Sequence, residues 1–96
     1  MKNLEVELYI NQFRAFFEKN PNELTQLIGG DYSTLFYEKV EEQCYKNVES
    51  GDEVSLTQQQ LIDIIVNLKD NGLSHIETNR LKELFQKTKF GYFCLN

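Results

Sequence analysis

The chain carries one histidine, His75, and two cysteines, Cys44 and Cys94. These are the side chains that act as general bases and nucleophiles near neutral pH. His75 falls on the first turn of an expected helix, where the macrodipole disfavours a protonated imidazole. A surface histidine is the expectation. No Cys-x-x-Cys and no Cys/His cluster occurs, so the spacing offers nothing to zinc. Asp70-Asn71-Gly72 faintly matches a calcium loop. Aligning Ile76 with the loop's apolar position puts Lys69 and Leu73 where oxygen ligands belong and Arg80 where a bidentate carboxylate is required. The paired acids Glu41-Glu42 and Asp52-Glu53 fall on a solvated helix face and a turn, so they read as surface charge. Gly29-Gly30 sits in no phosphate-cradling pattern. The sequence therefore predicts a protein that is not an enzyme, with no cofactor and no metal.

Composition narrows the class further. The chain has 96 residues, of which 41% are hydrophobic and 26% charged. That size and balance predict one folded domain spanning 1–96. Fifteen acids against ten bases leave a net charge of −5, which opposes holding nucleic acid by bulk charge. The acidity is uneven: eleven acids and five bases in residues 1–56, against four and five in 57–96. The longest apolar run, Leu61 to Val66, is interrupted by Asp63. A membrane helix needs roughly 18 apolar residues in succession, and this run falls short of it. The start, Met-Lys-Asn-Leu-Glu-Val-Glu, has no apolar signal region. Cytoplasmic residence, with both cysteines reduced, is the expectation. Abundant Asn, Lys, Ile, Phe and Tyr are the bias of an AT-rich genome and suggest a phage or mobile element as source.

Five helices are predicted. Val6, Tyr9, Ile10, Phe13, Phe16 and Phe17 recur at helical spacing and mark a first helix at about 3–19. Asn20-Pro21-Asn22-Glu23 reads as a second start, and Leu24, Leu27 and Ile28 give that helix a short apolar face ended by Gly29-Gly30. Phe36, Tyr37, Val40, Cys44 and Val48 line a third helix, beginning at Asp31 or Ser33 and stopping near 49. Thr57 and Gln60 form a capping box, with Leu56 and Leu61 placed as a hydrophobic staple. The helix they open, about 57–70, is apolar over more than half its circumference and is expected to be the central one. Asn71-Gly72 closes it. Ser74-His75-Ile76-Glu77 opens the last helix, which runs to about 88 with Leu81, Leu84 and Phe85 inward. The tail from Lys89 is β-prone and aromatic. A strand there needs a partner: Glu53–Leu56 is the nearest candidate in this chain, which would give a two-stranded ribbon of 53–56 with 91–95, and a second chain, by strand addition, is the alternative.

Gly72-Leu73-Ser74 followed by Arg80-Leu81-Lys82-Glu83-Leu84 resembles the turn and recognition helix of helix-turn-helix proteins. With flanking strands, the C-terminal half of the chain would resemble a winged helix. The resemblance implies DNA contact by helix 74–88 through His75, Asn79, Arg80, Lys82 and Lys87. The sequence departs from that pattern at Leu68, where the tight crossing calls for a small residue, and at Asn67 and Asn71, where apolar groups belong.

The fold expected is thus mainly α, five helices around the 57–70 segment. The function expected is binding of another macromolecule, a protein partner or a second copy, with Phe90, Tyr92 and Phe93 as candidate contacts. DNA binding through Asn79, Arg80, Lys82 and Lys87 is the first alternative. The second is an acidic inhibitor that mimics nucleic acid, presenting Glu38, Glu41, Glu42, Glu49, Asp52 and Glu53.

Overall fold

A computed structural model describes residues 3–18 and 24–87, apart from the side chains of Phe16, Gln86 and Lys87. These residues form α1 (Leu4–Phe17), α2 (Leu24–Ile28), α3 (Gly30–Glu49), α4 (Gln58–Asp70) and α5 (His75–Lys87). The start at Asn20-Pro21, the tail and Cys94 lie outside the described residues.

Local chemistry sets the ends. Asn3 caps α1, its side-chain oxygen accepting from the Glu5 and Val6 amides at 2.8 and 3.4 Å. Gly29, at φ 86°, is the single residue that breaks α2 from α3. A side chain there would be strained, and one more residue of helix would abolish the corner. The Thr57–Gln60 box forms in both directions. The Gln60 amide donates to Thr57 Oγ1 at 3.1 Å, and the Thr57 amide donates to Gln60 Oε1 at 3.0 Å. At the other end of α4 the Leu73 amide reaches back to the Leu68 carbonyl and the Gly72 amide to that of Lys69, both at 3.0 Å. This is a Schellman ending, with Gly72 at φ 116° and Leu68 and Leu73 both buried. Ser74 caps α5 through the Glu77 amide at 3.1 Å. The Glu77 carboxylate accepts from the Ser74 hydroxyl at 2.8 Å, a different return bond from that of a full box.

One apolar cluster joins all five helices. Its densest part is aromatic: Phe13 lies 4.9 to 5.9 Å, centroid to centroid, from Phe17, Phe36, Tyr37 and Phe85. The tilted and edge-on geometries suit the ring quadrupoles. α3 packs against α1, α2 and α4, while α4 packs against α3 and α5. Leu61, Ile64, Ile65 and Leu68 bury the inner side of α4, as its apolar pattern predicts, but Val66 remains 40% exposed.

The expected ribbon is not formed by its first half. Residues 53–56 are bends and coil, and no strand occurs among the described residues. Tertiary hydrogen bonds have taken the backbone groups a strand would use. The Leu56 amide donates to the Tyr9 hydroxyl at 3.4 Å, and Asn47 Nδ2 donates to the Ser55 carbonyl at 3.4 Å. Thr57 is committed to the cap. The other half, 91–95, lies outside the described residues.

Candidate interaction surface

Helical geometry gathers the acids of α3. Stepping along an ideal helix, Asp31, Glu38, Glu41, Glu42 and Glu49 fall within an arc of about 100° and along about 27 Å of axis. All five are exposed, as are Asp52 and Glu53 in the turn that follows. The other sides of α3 hold Ser33, Phe36, Tyr37, Val40, Cys44 and Asn47 against the core. The helix is therefore divided lengthwise, with core on one side and carboxylates on the other. Asp31 completes the stripe. Sequence reading passed over it, although its position seven residues before Glu38 is the signal that places it there.

Asp31, in the first turn, suits the macrodipole, but the acids further along oppose helix stability. Like charges at i,i+3 and i,i+4, as in Glu38 with Glu41 and Glu42, cost about 0.2–0.5 kcal/mol per pair. Glu49 stands in the last turn, where the macrodipole favours a cation. The Glu42–Lys46 pair at 3.5 Å relieves part of this, but both side chains are more than half exposed, which limits its worth. The amide of Asn3 donates to the Tyr45 hydroxyl at 3.5 Å, which sets the amino end of α1 beside the stripe. Leu4 and Leu8, 68% and 53% exposed, add an apolar shoulder on that helix.

Where α3 ends, Asn47, Asp52, Glu53, Ser55, Leu56, Thr57 and Gln60 line a half-open hollow of about 300 Å³. Asn47 is only 4% exposed and exchanges two amide bonds with Gln60: Gln60 Nε2 to Asn47 Oδ1 at 2.9 Å, and Asn47 Nδ2 to Gln60 Oε1 at 3.1 Å. Gln43 Nε2 adds a third, to Asn47 Oδ1, at 3.0 Å. The amide of Asn47 is saturated from within the chain, so the hollow presents carboxylates at its rim and no unpaired Asn47 group at its floor. Sequence reading missed Asn47 altogether, because it follows the apolar series of α3 by helical phase and not by residue type.

The residues of the DNA-binding alternative lie on α5. His75, Ile76, Asn79, Arg80 and Glu83 are exposed, and Lys82 is partly covered. His75 Nε2 and Asn79 Nδ2 are 3.2 Å apart. An acid and an exposed apolar side chain therefore share the helix surface with Arg80. Lys87 ends α5, and its side chain lies outside the described residues, as do Phe90, Tyr92 and Phe93. Among the described residues no group of three or more His, Cys, Asp or Glu could hold a metal ion. None of the described helices is long and apolar enough to cross a membrane.

Tyr37 is a titratable group with a clear shift. Burial, reinforced by the nearby Glu18 carboxylate and opposed by Arg14, pushes its phenol up to about 12. Burial acts this way because the charged phenolate loses its hydration. The Arg14 guanidinium lies 4.5 Å from the ring centroid, within cation–π range. The hydroxyl is buried with no hydrogen-bond partner among the described residues.

Comparison with protein-family models, with curated proteins and with solved structures returned no match.

Proposed function

We propose that this protein works without catalysis, in the cytoplasm, by binding another protein through the acidic stripe of α3. The observation that carries the reading is the one-sided placement of Asp31, Glu38, Glu41, Glu42 and Glu49, continued by Asp52 and Glu53. Within it, the closely spaced Glu38, Glu41 and Glu42 and the C-terminal Glu49 come at the expense of helix stability. Such a stripe complements a basic surface, and it steers encounter as well as holding the complex. The basic channel of a nucleic-acid enzyme is one surface of that kind. Leu4 and Leu8, both exposed on α1, are available for apolar contact.

The test is affinity capture from the native host with the wild-type chain and with a Glu38→Gln, Glu41→Gln, Glu42→Gln, Glu49→Gln variant. These changes touch only exposed positions, so the variant should keep its circular dichroism. A partner captured by the wild type, released by salt and lost with the variant is the expected result. A partner retained equally by both, or indifferent to salt, would remove the stripe from the reading.

A second reading draws on the exposed Asn79 and Arg80 of α5, a helix that follows a tight turn as a recognition helix does. Titration of labelled random duplex at low salt separates the two. Saturable binding that weakens with added salt would favour α5, and its absence would favour α3.

A further inference from the structure

Asn71-Gly72 is the one Asn-Gly pair in the chain. Such a pair carries its own chemistry. The backbone nitrogen of the glycine can attack the asparagine Cγ, since no side chain obstructs the approach. The N–Cγ bond forms as that nitrogen loses its proton to water. Nδ2 takes up a proton from water, the Cγ–Nδ2 bond breaks and ammonia leaves. Water opens the resulting succinimide at either carbonyl, giving an aspartyl or isoaspartyl residue at that position. No oxidant or reductant is involved.

We propose that Asn71 is a latent deamidation site which the native α4–α5 turn holds shut, so that its conversion records opening of that corner. Four features oppose ring closure. The Gly72 amide, the nucleophile, is engaged with the Lys69 carbonyl at 3.0 Å. Asn71 holds ψ at 7°, and closing the five-membered ring requires a large rotation about that bond. Its Nδ2, the leaving group, donates to the Asn67 carbonyl at 2.8 Å and to Asn67 Oδ1 at 3.1 Å, which draws Cγ back along the helix. The Tyr32 hydroxyl, from the first turn of α3, clamps the Asn71 carbonyl at 3.1 Å. Attack requires that the Schellman ending open first.

The modification also reinforces the open state. A carboxylate at the end of α4 opposes the macrodipole and loses both bonds to Asn67. An isoaspartyl linkage lengthens the main chain and destroys the spacing of the Leu73–Leu68 and Gly72–Lys69 bonds.

The experiment incubates the full chain at mildly alkaline pH, native and in urea, and measures conversion at position 71 by peptide mapping. Conversion at least about tenfold slower in the native chain is expected, because only the locally open fraction reacts. Removing the clamp with Tyr32→Phe should speed native conversion roughly fivefold, the equivalent of one hydrogen bond of about 1 kcal/mol. Native conversion within about twofold of the rate in urea would overturn the proposal. A Tyr32→Phe chain that keeps its helicity and converts no faster would do so as well. The first comparison uses only the unaltered chain and does not depend on the variant folding.

Discussion

Asn47→Ala offers the sharpest test of the packing argument, because the residue joins three segments by its side chain alone. It ties α3 to α4 through the reciprocal pair with Gln60, to the 50–57 turn through the Ser55 carbonyl, and to its own helix through Gln43. The bond to Ser55, at 3.4 Å, is too long to weigh much. The other three lie between 2.9 and 3.1 Å. Each is worth about 1 kcal/mol net. Two effects reduce the total. Alanine improves helix propensity by about 0.5 kcal/mol. Water entering the half-open hollow can satisfy part of the Gln60 and Gln43 amides, recovering a similar amount. A loss of about 2 kcal/mol is the outcome, equivalent to about 2 M in urea midpoint for a slope of about 1 kcal/mol/M. Urea unfolding followed by circular dichroism measures it, with Glu49→Ala as an exposed control on the same helix. An Asn47→Ala midpoint indistinguishable from that control would refute the reasoning, since the three short bonds to Gln60 and Gln43 would then contribute nothing. The isosteric Asn47→Asp supplies a check on sign. Its second oxygen would face the Gln60 and Ser55 oxygens while buried, so the introduced carboxyl should have a folded pKa above its unfolded value. Such a group destabilises progressively as pH rises past the unfolded pKa. The penalty should therefore be larger at about pH 7 than at about pH 3, reckoned from an unfolded value of about 3.9.

Three further outcomes follow from named contacts. Gly72→Ala places a Cβ 2.5 Å from the Tyr32 hydroxyl oxygen at φ 116°. It should lower stability by about 1–2 kcal/mol. Because the clash is with that oxygen, Tyr32→Phe in the same chain should restore part of the loss in a double-mutant cycle, whereas purely additive effects would count against the contact. Phe13→Ala empties the centre of the aromatic cluster. It should cost about 3–5 kcal/mol, read as a collapse of the thermal midpoint; a drop under about 1 kcal/mol would mean that the rings do not pack as described. Tyr37 bears on pH. Burial pushes its folded phenol up to about 12, against 10.0 for the ordinary side chain. A folded pKa raised in this way makes a contribution that is intact below the unfolded value and is lost as pH rises through the window between the two, because the folded state resists giving up the proton. Absorbance titration should find a late-ionising tyrosine component, together with unfolding. Tyr37→Phe should abolish that late component, since it removes an unpartnered buried hydroxyl. Stability should stay unchanged or rise by about 1 kcal/mol.

The helices were legible because what defines them is local. The Thr57–Gln60 box, the Gly72 ending and the recurrence of Val6, Ile10, Phe13 and Phe17 each depend on residues within a few turns, so side-chain type and spacing suffice to place them. The acids Glu38, Glu41, Glu42 and Glu49 were legible in the same way, as a solvated helix face, while Asp31 joins them only once charge is counted by direction along the helix and not by number.

What the residue order alone left open are matters of contact between distant segments. Glu53–Leu56 has the composition of a short strand, yet it is coil, and its Ser55 carbonyl and Leu56 amide face Asn47 and Tyr9 from two different helices. Asn47 is polar by type and buried by position, because Gln60, on the next helix, presents a matching amide. Val66 is apolar by type and partly exposed, because α3 and α5 cover the other sides of α4. Hydrogen-bond patterning and helical period act over a few residues and are encoded where they act. Which face of a helix meets a neighbour, and which loop carbonyl meets a side chain, depends on how all five helices share one core, and only the assembled fold decides that.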